Sequence, residues 1–174
     1  MAGITRLEPS HRKDYLRSGI NLIQANINNI QINEAKEVIP MIDIQYTIET
    51  EQYGNKTGNR LFIPANIFRK GFTTPDLKQR VQDIHINYGY LDTDSICLQI
   101  PEGYTIESLP KTCQVTSSFG SFSSSLMIKD KEICIIHRLL MHRGIYPKEI
   151  YKDFLEFRKQ IAAQYSSKII LKKE

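Results

Sequence analysis

The sequence predicts a mainly β fold, an antiparallel β-sandwich or curved sheet with an N-terminal and a C-terminal helix. Three observations carry that expectation. Apolar and polar residues alternate in several segments, the period of a strand with one wet face; Ile42, Ile44, Tyr46 and Ile48 stand against Asp43, Gln45, Thr47 and Glu49. Proline and glycine interrupt those segments, as at Pro101-Glu102-Gly103 and Pro110. Near the C-terminus the period becomes helical: Ile150, Phe154, Phe157 and Ile161 form a stripe that Tyr151 and Leu155 widen.

The first element is a helix. Pro9 suits its first turn, Ser10 is placed to cap it, and Gly19 ends it after Tyr15 and Leu16 unless Leu22 and Ile23 extend it by a turn. Asn26–Asn33 reads NINNIQIN, an irregular strand, because asparagine disfavours strand interiors. The strand after Pro40 is expected to pair with Arg60–Ile63 as a hairpin across a Gly54–Gly58 turn. Asn55-Lys56-Thr57 fits a glycosylation sequon, but the turn is the stronger reading. Residues 64–79 form a connecting loop in which Ile67, Phe68 and Phe72 need burial. Val81–Tyr90 reads as a strand, with Ile84, Ile86, Tyr88 and Tyr90 on its core side.

The stretch 92–122 organises the rest. Asp92-Thr93-Asp94 reads as a turn into a strand in which Ile96, Leu98 and Ile100 alternate with Cys97 and Gln99. Pro101 stops that strand and Gly103 closes the turn. Tyr104, Ile106 and Leu109 resume the apolar pattern until Pro110, and a Ser-rich turn follows at Phe119-Gly120. Phe122–Lys129 and Glu132–His142 form a hairpin whose second strand is apolar on both faces, hence central. After the helix, Ser166-Ser167 leads to a last strand, Lys168–Lys172. The expected core unites Ile84, Ile86, Ile96, Leu98, Ile100, Ile133, Ile135 and Phe154.

At 174 residues the chain is long enough for one sizeable core, so residues 1–174 read as a single domain. No apolar run approaches the roughly 20 residues of a membrane helix, and the N-terminus lacks the apolar core of a secretory signal. The net charge of +4 is mild and its basic residues are scattered. Nucleic-acid binding is not expected, since it concentrates them on one face.

Chemistry is scarce. Cys97, Cys113 and Cys134 are an odd count without a CxxC, so at least one thiol is unpaired within the monomer. Whether any two form a disulfide stays open. Cys97 and Cys134 lie within strands; Cys113 is more accessible, but no helix begins there to lower its pKa. His85, His137 and His142 are the candidate bases. His137, beside Arg138 in a strand, reads as a surface or satisfied core histidine. His137 and His142 would face opposite sides of their strand, and no HExxH or paired CxxC offers metal ligands. Asp92 and Asp94 fall short of the roughly six to eight oxygens that calcium takes, and no EF-hand-type loop follows them. No catalytic, cofactor-binding or metal residue is therefore expected. Tyr88, Tyr90 and Tyr104 are candidates for a sugar-binding surface, with core packing the stronger reading for the first two.

A series of motifs resembles one bacterial domain. It comprises Asp94-Ser95-Ile96, Ile100-Pro101-Glu102-Gly103-Tyr104, Glu107-Ser108-Leu109-Pro110 and Phe119-Gly120-Ser121-Phe122. It continues with Arg138, Gly144-Ile145-Tyr146-Pro147, Tyr151, Phe154, Phe157 and Ile169-Ile170-Leu171-Lys172-Lys173. From about Leu61 onward the chain resembles the C-terminal β-rich domain of unknown function in secreted, transglutaminase-like proteins of Gram-negative bacteria. The resemblance implies a catalytic core upstream, a chain that is the C-terminal part of a longer protein, and a periplasmic or extracellular location. The expected role is a non-catalytic accessory domain whose partner is that upstream domain. The alternative is a glycan- or peptide-binding module at the bacterial envelope, and a stand-alone cysteine enzyme ranks third.

Overall fold

The computed structural model describes residues 3–68, 75, 77 and 80–174. The chain is mainly β and forms two compact units, Met1–Asn55 with Ile67–Arg69, and Lys56–Asn66 with Lys70–Glu174.

In the first unit, helix α1 (Pro9–Ser18) has Pro9 in its first turn, where a missing N–H is no loss. Its N-cap is Glu8, so Ser10 lies inside the helix rather than capping it; Gly19 follows the last turn as expected. Strands β1 (Asn26–Ala35) and β2 (Met41–Glu49) pair antiparallel in a two-stranded sheet. Their register shifts between Asn28 and Gln31, where Asn29 adopts φ +53°. Asparagine tolerates that conformation, which explains the irregularity of the strand. The anticipated pairing of β2 with Arg60–Ile63 does not form. The short Lys36–Pro40 link makes β1 the nearer partner, with less loop entropy to overcome. Leu16, Ile20, Ala25, Ile27 and Ile67 are buried, and Ile20 bridges Phe68. Phe72 lies outside the described residues.

The Gly54–Gly58 segment is not one turn. Asn55–Thr57 is strand β3, and the reversal into β4 (Arg60–Pro64) is the two-residue loop Gly58-Asn59, with Gly58 at φ +60°. Then come β5 (Ile84–Ile86), β6 (Tyr90–Gln99), β7 (Tyr104–Ser108), β8 (Cys113–Ser117), β9 (Gly120–Lys129), β10 (Glu132–Met141) and β11 (Gly144–Tyr146). Helix α2 (Tyr151–Tyr165) and β12 (Lys168–Lys173) close the chain. One sheet has the order β6-β10-β9-β8, a second β3-β4-β12-β7, and β11 pairs with β5 alone.

The Pro101-Glu102-Gly103 turn therefore passes the chain between sheets rather than closing a hairpin. Gly103 sits at φ +74°, and Tyr104 N–H donates to the Pro101 carbonyl at 3.2 Å. Strand β10 is central, paired along its length with β6 and β9, as its apolar faces predict. Gly120, at φ +150°, is required: a Cβ there would overlap the Leu140 carbonyl oxygen. The strand expected over Val81–Tyr90 shrinks to β5, because Asn87 and Gly89 disfavour strand interiors. Tyr88 is consequently 80% exposed instead of packed.

Helix α2 buries Tyr151, Leu155, Phe157, Ile161 and Tyr165 in one cluster with Ile84, Phe119, Phe122, Leu139 and Met141; Ile86 and Phe154 pack at its edge. Ile133 and Ile135 are buried, but Ile96, Leu98 and Ile100 are only half-buried. Their strand, β6, is the edge of its sheet, so its apolar face lies at the rim. Among the described residues no helix is long and apolar enough to cross a membrane.

Candidate functional site

Alternate residues of β6, β10, β9 and β8 face the cluster beneath α2. Most are apolar, but one row across the sheet is not. His137 on β10 stands opposite Asp94 on β6 and Ser124 on β9, and Ser124 stands opposite Cys113 on β8. Asp94, Ser124 and His137 are 7%, 3% and 1% exposed. The anticipated Asp92-Thr93-Asp94 turn is thus corrected: all three residues lie within β6. The extended backbone there points Asp94 inward with Ile96 and Leu98.

Aromatic rings seal the row. The His137 ring stacks 5.8 Å from Phe122 and meets Tyr165 edge-on at 4.8 Å; Phe122 and Tyr165 are 5.6 Å apart. Burial pushes the Tyr165 hydroxyl pKa well up, and the negative charges of Asp94 and Asp92 and the nearby Tyr90 reinforce the shift. On the same helix, burial lowers the Arg158 pKa while Tyr90 opposes the change. The helix thus covers a polar seam, not a purely apolar face.

Aspartate, histidine and serine in one row are the residue types of a nucleophilic triad. Here they lie in the interior under α2, where a substrate would have to displace packed rings. Cys113 is two strands from His137, roughly 9–10 Å at the usual strand spacing. Its thiol pKa is raised by burial, partly offset by the Ser124 backbone. What the row can do is fix register: a slip of one residue would swap Asp94 and His137 with their outward neighbours.

The opposite face of the same sheet carries the Cys97–Cys134 disulfide, joining residues directly opposed in the β6–β10 ladder. Cys113 is the free cysteine. The three candidate histidines are dispersed. His85 is exposed on β5 and His137 is buried on β10, while His142 lies beyond β10 with Nδ1 3.3 Å from the Ser118 carbonyl oxygen. Tyr88 and Tyr90 are exposed at the entry to β6, whereas Tyr104 opens β7 in another sheet. The three tyrosines therefore do not make one platform within a sheet. In the first unit a shallow polar concavity is lined by Gln24, Asn26, Glu49, Thr50 and Glu51.

The buried row had a signal in the sequence. Asp94 shares its parity with Ile96 and Leu98, His137 with Ile135 and Leu139, and Ser124 with Phe122 and Leu126. A polar residue in the apolar phase of a strand marks an interior polar contact. Only the register between strands shows that the three coincide.

No curated protein and no solved structure matches the chain. Residues 59–171, from the start of β4 into β12, match DUF3858, a domain of unknown function. The chain belongs to the DUF3858 family.

Proposed function

We propose that this chain is a non-catalytic accessory domain of a transglutaminase-like multidomain protein, packing beside or orienting a catalytic core on the same polypeptide. The fate of the three cysteines carries the reading. Cys97 and Cys134 are joined, and burial raises the pKa of Cys113. A thiol nucleophile needs the opposite shift and a base within hydrogen-bond reach. The resemblance of the motif series to the domain that follows transglutaminase-like cores supplies the identity of the neighbour. The disulfide supports a periplasmic or extracellular location, because cytosolic thiols are generally kept reduced.

The 174-residue chain, given a glutamine-donor peptide and a primary amine, should release no ammonia. Ammonia release abolished by Cys113→Ala would overturn the non-catalytic reading. The upstream domain, expressed separately, should bind this chain in calorimetry; absence of heat would remove the accessory role. A second reading, a glycan- or peptide-binding module, draws on the exposed Tyr88 and Tyr90. It requires envelope oligosaccharides or peptides to quench tyrosine fluorescence in the native chain but not in Tyr88→Ala.

A further inference from the structure

We propose that Cys97, Cys134 and Glu132 form a zinc site when the Cys97–Cys134 disulfide is reduced. The two cysteines are directly opposed in the β6–β10 ladder, and Glu132 lies two residues before Cys134 on the same strand face. The ligand atoms of all three lie within 4.8 Å of one another. Glu132 Oε2 is 3.7 Å from Cys134 Sγ. Gln99, opposite Glu132, donates from Nε2 to Glu132 Oε1 at 2.8 Å. That bond holds one carboxylate oxygen and leaves the other beside the sulfur, the kind of outer support that orients metal ligands. A disulfide sulfur has no proton to give a carboxylate. Ladder pairing and the disulfide hold the two sulfurs together, and on reduction they leave two thiols and a carboxylate within reach of one cation.

The scaffold favours such a site. Strand β10 is paired along its length on both sides, so its two ligands are held by the sheet rather than by a loop. Cys97 is exposed, which admits both a reductant and a cation. Thiolates disfavour calcium and magnesium, which take oxygen ligands. Zinc accepts sulfur and carboxylate together, and three protein ligands leave its fourth tetrahedral position to water.

The chemistry balances with a dithiol reductant. Its two thiol hydrogens pass to Cys97 and Cys134 as their S–S bond breaks, and the reductant becomes a disulfide. Zinc binding then displaces one proton from each thiol to solvent, with no change in the oxidation state of the metal. Nothing in this inference depends on the accessory role.

The test uses the full chain, reduced anaerobically on an immobilised dithiol resin. Zinc chloride is titrated against a chromophoric chelator, and cobalt(II) is followed by its thiolate charge-transfer absorption. The expected result is one metal per chain after reduction and none before it. Cys97→Ser should abolish tight binding, Cys113→Ser should preserve it, and Glu132→Gln should weaken it by at least about tenfold. Equal binding before and after reduction would overturn the proposal, as would binding that survives Cys97→Ser or is unchanged by Glu132→Gln. If reduction unfolds the chain, zinc must restore the far-ultraviolet circular dichroism of the oxidised form. Failure to restore it also overturns the site.

Discussion

The two faces of the β6-β10-β9-β8 sheet are built from the same strands, and both carry polar residues. On the outer face Thr93, Ser95 and Arg138 are exposed, and Cys97 is bonded to Cys134. On the inner face Asp94, Ser124 and His137 sit among the rings of Phe122 and Tyr165. Water satisfies Thr93, Ser95 and Arg138, so those three constrain the fold little. A buried polar group left without a partner costs about 1–3 kcal/mol, so the inner row penalises every register but one. The residue types of a catalytic triad can therefore serve alignment, while the face open to water is the one where chemistry can occur.

The largest expected effect removes the cover of the inner face. Deleting Pro147 onward takes away α2 and β12, and with them Tyr151, Leu155, Phe157, Ile161, Tyr165, Ile169 and Leu171, all buried. Each such side chain contributes about 1.5–3 kcal/mol, against a whole-domain stability of about 5–15 kcal/mol. The truncated chain should show no cooperative melt. A monomeric product with a sharp transition would mean that α2 is a detachable element.

Next comes a pair of single substitutions on opposite faces. Phe122→Ala should lose about 3–5 kcal/mol in urea unfolding, because Phe122 is 1% exposed and touches both His137 and Tyr165. Arg138→Ala, one strand away on the outer face, should stay within about 0.5 kcal/mol. Comparable losses would show that the outer face is covered too. Replacing Cys97 and Cys134 together by serine should destabilise the oxidised protein by about 2–4 kcal/mol. No change would mean that the bridge adds nothing to strands already paired. Leu98→Ala, on the inner face but at the edge strand, should fall near the low end of the about 2–5 kcal/mol seen for buried leucines.

Much of this comparison was legible in the sequence. Alternation located β2, a run apolar on both faces located β10 as a central strand, and helical spacing located α2. Those are signals within a segment. Pairing between segments was less legible: β2 joined β1 rather than β4, and β6 and β7 entered different sheets despite their short connection. Composition misled at Asp92-Thr93-Asp94, which looks like a turn because aspartate favours turns, whereas ten ladder pairs with β10 hold the segment extended. The disulfide was undecidable because spacing does not reveal which cysteines face each other. Register does: Cys97 and Cys134 are partners in the same ladder.

The smallest effect at neutral pH is also the most specific probe of the inner face. Tyr165 is mostly buried, and burial first, then Asp94, Asp92 and Tyr90, raise its pKa above the ordinary 10.0. A group whose pKa is higher in the folded than in the unfolded state contributes stability that is complete below the unfolded value. That contribution is lost as pH rises from about 10 toward the folded value. Near neutrality Tyr165→Phe removes only what the hydroxyl adds, about 1 kcal/mol or less. Above pH 10 the native protein must either keep a neutral tyrosine that the unfolded chain would ionise or place a phenolate beside two carboxylates. Phenylalanine does neither, so the variant should gain on the native chain as pH rises. Tyr53, whose pKa burial pushes up to about 12, titrates in both proteins and cancels in the difference. Urea midpoints taken from about pH 9 to 11 should converge or cross. Parallel curves would mean that Tyr165 ionises as readily in the fold as in water, and that α2 does not seal the row.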